Sequence, residues 1–143
     1  MEMNYRSLQR EFRSLGCTDE AQTTASCQLY IELCEVRRKL NVKYYYNVVI
    51  DKIYMTVSNE SGDAIESFYL AIPSSKTLDL TLTEPIQKEL IQAHAHEIND
   101  PENVPVSLAI VDSSTTIAFY KLILGLSSLD TMKNKKQRAR NEL

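Results

Sequence analysis

Glycine is scarce in this chain of 143 residues: only Gly16, Gly62 and Gly125 occur, and they stand far apart. A loop that cradles phosphate needs clustered glycines so that backbone N–H groups can approach the ligand, so nucleotide binding of that kind is not expected. Cysteine is sparse as well. Cys17, Cys27 and Cys34 are an odd number with no C-x-x-C spacing, and the chain opens Met-Glu-Met-Asn without an apolar secretory core. Together these features fit a reducing compartment, cytosolic or nuclear. No apolar run approaches the ~20 residues needed to cross a bilayer, and neither end carries a lipidation signal, so a soluble protein is expected. Positive charge is not in excess either: the net charge is -3. A protein that coats nucleic acid with its whole surface concentrates positive potential, so any RNA contact here is local or borrowed from a partner.

What is present has the size of one globular domain, with 43% hydrophobic and 24% charged residues. A chain of this length buries about two-thirds of its unfolded surface. Three parts are expected: an N-terminal segment over 1–17, a folded domain over 18–126 and a basic tail over 127–143. Tyr5, Leu8, Phe12 and Leu15 recur at steps of three and four and end at Gly16, which predicts a short amphipathic helix. Thr18 is the expected N-cap of a long helix, with Asp19 and Glu20 in its first turn. Ala21, Ala25, Leu29, Leu33, Val36 and Leu40 form its inward face, and Arg37, Arg38 and Lys39 complement its C-terminal dipole.

Tyr44 to Ile50 and Ile53 to Val57 read as strands joined at Asp51-Lys52. Ser58 to Asp63 is a loop, Glu66 to Ile72 a strand closed by Pro73, and Ser74 to Leu82 irregular or a short edge strand. Thr83 and Glu84-Pro85 start another helix, whose residues Ile86, Leu90, Ile91 and Ile98 face inward before Asn99 to Glu102 break it. Val106 to Val111 and Ile117 to Leu122 are apolar on both alternating faces, as in strands near a sheet centre, and form a hairpin around Asp112 to Thr116.

The residues that invite chemical readings also have plain ones. His94 and His96, two apart on a helix, diverge by ~200° and so do not share a metal as an i,i+4 pair would; no metal or cofactor is expected. One is expected to be exposed and the other partly packed. Cys27 and Cys34, seven apart, lie on one helical face without a local cation to lower a thiol pKa, as core cysteines do. The run Tyr44-Tyr45-Tyr46 is either a base-stacking platform or a strand with two rings in the core and one outside. Lys133, Lys135, Lys136, Arg138 and Arg140 put five cations within eight residues of a tail expected to be disordered. They form either a nuclear-import or RNA-backbone patch or a solvated end.

The segment from Val106 through Asp112 to Leu122 resembles the last two strands of the tRNA-splicing endonuclease fold, in which a run like L-A-x-V-D/E precedes a short polar loop and then T/D-I-x-Y-Y-K/E. The helix Pro85 to Ile91, the Asp100-Pro101 turn and the upstream order of a long helix and then strands are similar to the small accessory subunits of that family in particular. The likeness covers roughly residues 18 to 125, with specificity concentrated in the last forty or so. It implies an α/β domain with a mixed, mostly antiparallel sheet flanked by helices, of the restriction-endonuclease-like C-terminal type.

In that family the catalytic subunits use a Tyr, a His and a Lys to cleave intron boundaries of precursor tRNA, leaving a 2′,3′-cyclic phosphate. One group removes the 2′-OH proton, one protonates the leaving oxygen, and a cation stabilises the crowded phosphate. The family's Lys lies eight residues ahead of the acidic strand end, which here falls at Val104, and Glu66 falls in place of the His. Neither can do that work. The resemblance therefore implies a catalytically empty, nuclear subunit that scaffolds a heterotetramer with catalytic and structural partners and meets precursor tRNA through the complex. Its expected partner-binding residues are Asp112, Ser113, Ser114, Thr115, Thr116, Ile117, Phe119, Tyr120 and Leu122, and without partners it is expected to form a homodimer through the terminal strand edge. The rival readings are a stand-alone RNA nuclease using relocated residues such as His94, His96 or Tyr45, and a homodimeric adaptor outside tRNA splicing.

Overall fold

The computed structural model describes residues 5–76, 83–99, 104–114 and 116–123. They form a five-stranded sheet between two helical layers. Helix α1 (Tyr5–Arg13) follows the expected period and seats Phe12, which is fully buried, against the rings of Tyr30 and Tyr44 at 5.8 and 4.6 Å. Gly16, at φ +105, turns the chain after it.

Helix α2 (Glu20–Ile31) starts one residue later than the sequence suggests. Asp19, not Thr18, is the N-cap, and its carboxylate accepts from the Gln22 N–H at 3.1 Å. The Thr18 hydroxyl is drawn away to Asp51 instead. The expected inward face is also wrong beyond Leu33. Glu32–Val36 form a π-helical turn, in which the Arg37 N–H reaches back to the Glu32 carbonyl at 2.9 Å, and the left-handed Arg38 (φ 52) then ends the helix. The wider turn rotates the chain from Val36 onward out of phase, so Val36 and Leu40 are exposed.

Ala21 is exposed too, because the face that meets the sheet carries Gln22, Ala25, Ser26 and Leu29. Gln22 explains that choice. Its amide donates to the carbonyls of Ile53 (2.9 Å) and Ala71 (3.0 Å) and accepts from the Ile53 N–H (3.0 Å). These are backbone groups left open where pairing of the second and third strands stops.

The strands are β1 (Val42–Asn47), β2 (Lys52–Ser58), β3 (Ile65–Pro73), β4 (Pro105–Val111) and β5 (Ile117–Ile123). Their spatial order is their chain order. All neighbours are antiparallel except β3 and β4, which run parallel with α3 (Thr83–Ala93) in the connection between them. The first strand ends at Asn47 rather than Ile50, because the Asn47 side chain accepts from the N–H groups of Val49 and Ile50 and folds them into a turn. That local bond outweighs the β propensity of Val48 and Val49, which are left exposed.

The tyrosine run has no ring outside, contrary to both readings of it. Tyr44 and Tyr46 pack on the α1–α2 side and Tyr45 on the α3 side, stacked on Tyr54 at 5.5 Å. On that side Phe68, Leu70, Val106 and Leu108 meet Leu90, Ile91 and Ile98. Ile98 belongs to an extended segment after a 3-10 turn (Ala95–Glu97), so α3 stops short of both histidines.

Only β4 is central in the expected sense, with Val106 and Leu108 buried on one face and Ala109 and Val111 on the other. β5 lies at the sheet edge, with Ala118, Tyr120 and Lys121 exposed. Residues 77–82 of the expected irregular segment, 100–103 of the expected break, Thr115 and the basic tail lie outside the described residues. Among the described residues no helix is long and apolar enough to cross a membrane.

Candidate assembly surface

The β4–β5 hairpin is a continuous ladder in which every pair from Val106↔Leu122 to Val111↔Ile117 is apolar except Ser107↔Lys121. The loop beyond them closes when the Asp112 N–H donates to the Thr116 carbonyl at 3.0 Å. Asp112 Oδ1 accepts from the Ser114 N–H at 2.6 Å and from its hydroxyl at 2.9 Å, and Ser114 Oγ lies 3.2 Å from Thr116 Oγ1. The bond from the Ser114 N–H, helped by the hydroxyls, holds the Asp112 carboxyl below its ordinary range, so it is ionised at neutral pH. The loop thus shows the self-capping expected of an ordinary turn, while Asp112, Ser113, Ser114 and Thr116 all remain exposed.

β5 sorts its side chains between the faces. Ile117 and Phe119 pack on the α1–α2 side, where Phe119 meets Tyr69 edge-on at 6.1 Å and carries the Arg37 guanidinium 4.1 Å above its ring. Leu122 packs on the α3 side, whereas Tyr120 keeps 57% of its surface exposed. Strand β4 pairs one edge of β5, and no described strand pairs the other. An edge of this kind presents backbone donors and acceptors to a second chain.

Glu66 and Val104, the positions that the sequence resemblance sets against catalytic groups, lie side by side. β3 and β4 are in register at Phe68↔Val106, and two residues before this pair Glu66 and Val104 border one shallow depression of about 330 Å³ with Asn59, Ala64, Ile65, Ile98 and Asn99. Glu66 sits at a β-bulge, where the register shifts between Val57↔Ser67 and Ser58↔Ile65, and it is exposed. Val104 is a buried member of the core. The depression therefore offers a carboxylate and apolar wall, with neither a cation nor an imidazole at these two positions.

One constellation was not foreseen from the sequence. His94, only 6% exposed, lies with Nε2 2.6 Å from the Tyr54 hydroxyl and Nδ1 3.1 Å from Glu97 Oε1, inside the rings of Tyr45, Tyr54 and Phe68. A carboxylate only accepts, so Nδ1 carries a proton, and in the neutral ring Nε2 accepts from the phenol. Burial pushes the Tyr54 phenol well above its ordinary value and keeps it protonated. The one signal available in sequence was the spacing of His94 and Glu97, three apart at a helix end. His96, in contrast, is exposed, so the expected split between the two histidines holds.

Burial pushes Cys27 up to about 11 and also raises Cys34, despite its bond with Tyr30. Among the described residues no group of three or more His, Cys, Asp or Glu side chains is placed to hold a metal. No protein-family model matches the chain, and no curated protein matches it.

Proposed function

We propose that this chain is a non-catalytic structural subunit of a heterotetrameric tRNA-splicing endonuclease, acting in the nucleus to hold catalytic partners in place while precursor tRNA introns are removed. The observation that carries the reading is the pairing of a free β5 edge with an emptied site. The hairpin that bears the family resemblance ends the sheet with a strand whose outer edge no described strand pairs, and Glu66 and Val104 sit together without the charge or proton chemistry of cleavage. The edge and the loop Asp112 to Thr116 then serve the partner. Ile117 and Phe119 stiffen the strand from one face and Leu122 from the other, while Tyr120 supplies apolar surface to the interface.

The nuclease rival loses ground on geometry. Of its three relocated residues, His94 is enclosed by rings and Tyr45 is stacked on Tyr54, which leaves only His96 exposed. The homodimeric adaptor uses the same edge and differs only in its partner. Affinity purification of the tagged chain from cells of its source separates these readings. Recovery of two catalytic nuclease chains and a second structural chain is expected; recovery of the protein only as its own dimer would overturn the proposal in favour of the adaptor. Loss of the isolated dimer in a Tyr120→Lys variant, read by light scattering, ties self-association to this strand.

A further inference from the structure

Helix α1 has two opposed faces. At about 100° per residue, Tyr5, Leu8 and Phe12 fall on one side, and Arg6, Arg10 and Arg13 fall within an arc of about 60° on the other. The apolar side is already occupied. Phe12 is fully buried, Leu8 packs on the same cluster, and the Tyr5 hydroxyl accepts from Gln28 Nε2 at 2.9 Å. The arginines are all exposed. Among the described residues only Arg13 has an ion-pair partner, Glu20, and that contact is long (3.9 Å) and solvent-exposed, hence weak. The helix's own carboxylate, Glu11, projects about 100° or more from each arginine.

This arrangement is specific in what it can bind. A basic amphipathic helix is often a membrane-surface element, but such a helix inserts its apolar face, and here Leu8 and Phe12 of that face pack on the domain, which leaves only Tyr5 exposed. The polar face remains, with arginines whose planar guanidinium groups bind phosphate through paired N–H donors. From Arg6 to Arg13 the helix rises about 10 Å, enough to meet about two successive phosphates of a strand. The helix is also held in place by its docked face, so the three charges are presented together. In a chain of net charge -3, this is a local surface that a polyanion can approach.

We infer that the arginine face of α1 (Arg6, Arg10 and Arg13) is a docking surface for the phosphate backbone of a folded RNA. The identity of that RNA as precursor tRNA rests on the function proposed above; the surface itself rests on the helix. Its contribution is positional and independent of sequence, since phosphate contacts orient a complex without reading bases.

The test is fluorescence anisotropy of the full chain with a labelled, intron-containing precursor tRNA transcript, titrated between about 50 and 200 mM salt. An Arg6→Gln, Arg10→Gln, Arg13→Gln variant is expected to bind at least about tenfold more weakly, and its slope of log affinity against log salt is expected to fall by about 1.5 to 2. The corresponding triple Lys variant retains the slope, which a merely structural role for the arginines would not require. The basic tail is the same in all three proteins and cancels.

The inference is overturned if the wild-type chain does not bind the transcript, or if the Gln variant keeps both affinity and slope. It is also overturned if polyglutamate binds as tightly as the transcript and is lost in parallel, because the surface then belongs to an acidic protein. Failure here is distinct from failure of the assembly reading. Copurifying catalytic chains with an unaffected Gln variant would remove only the RNA surface, and a weakened Gln variant without copurifying chains would remove only the assembly.

Discussion

Replacing His94 by alanine is the perturbation that most sharply separates a structural role for the histidine from a catalytic one. The ring lies 4.8 Å from the Tyr45 ring and 5.7 Å from those of Tyr54 and Phe68, and it takes the Tyr54 hydroxyl at 2.6 Å. Its removal leaves a buried phenol without a partner, which costs about 1–3 kcal/mol. It also opens a void among aromatic rings, and large-to-small core changes of this size cost about 3–5 kcal/mol. The two terms share the same site and do not add fully, so a loss of about 4 kcal/mol is expected. At about 3 °C per kcal/mol for a domain of this size, the melting temperature should fall by about 12 °C. Tyr54→Phe removes only the hydroxyl and should cost about 1–2 kcal/mol, and the double variant should lose less than the sum. His96→Ala, whose side chain is 84% exposed, should leave the melting temperature unchanged. Thermal unfolding followed by circular dichroism measures all four proteins, with precursor tRNA cleavage measured in parallel. A His94→Ala protein that melts within about 3 °C of wild type while losing a cleavage activity of the isolated chain would refute the reasoning and restore the nuclease reading.

Gln22→Ala should cost about 3 kcal/mol or more in a denaturant titration, because it strands the Ile53 N–H and C=O and the Ala71 C=O in the core; a loss below about 1 kcal/mol would show that water replaces the amide. Stability should fall on acidification. Bonds from Thr18 hold Asp51 below the usual carboxylate range, those from Asn59 and Ser61 hold Asp63, and those from Ser114 hold Asp112. With depressed folded values the unfolded chain binds more protons, so the stabilisation is complete above about pH 4 and is lost as pH falls through the folded values. Urea midpoints from pH 6 down to about pH 2.5 should therefore decline, and Asp51→Asn should flatten that decline while lowering stability at neutral pH; an unchanged profile in the variant would contradict the assignment. Asp112→Lys should fold and melt within a few degrees of wild type but fail to support the proposed heterotetramer, since it reverses the charge of the loop proposed to meet the partner. Normal tetramer yield and normal cleavage by the mutant complex would remove the loop from the interface.

The parts of the fold that could be read from sequence are those that local chemistry decides. Pro85 behind Thr83 starts α3 where expected, and the doubly apolar Val106 to Val111 becomes the central β4. What escaped was decided at a distance or by a single side chain. The π-helical turn at Glu32–Val36 shifts the phase of α2 by a fraction of a turn, and no local signal distinguishes it from a helix that continues to Leu40. Asn47 overrides two valines through its own backbone bonds. The parallel pairing of β3 with β4 depends on how α3 crosses between them, which hydrophobic period alone does not encode. For the same reason apolarity made β5 look central, although its ring contacts come from an edge strand covered on one face by Arg37.

The candidate site was legible to the extent that register carries it. Counting back from the acidic end of β4 reached Val104, and the parallel ladder sets that position beside Glu66 although they are far apart in sequence. Sequence could not say what Val104 does instead of chemistry. It is 4% exposed and packs with Ile98, Val106 and Leu108, so it closes the end of the core under α3. A lysine there would have to withdraw its ammonium from that core or lose its charge, since an unpaired buried cation is strongly disfavoured. Valine at this position thus extends the apolar layer supporting β4, the strand on which the β5 edge is built. On the proposed function, loss of catalysis and gain of a firm assembly edge are two consequences of one residue, and Val104→Ala should weaken the hairpin's support without touching any residue of the partner-facing loop.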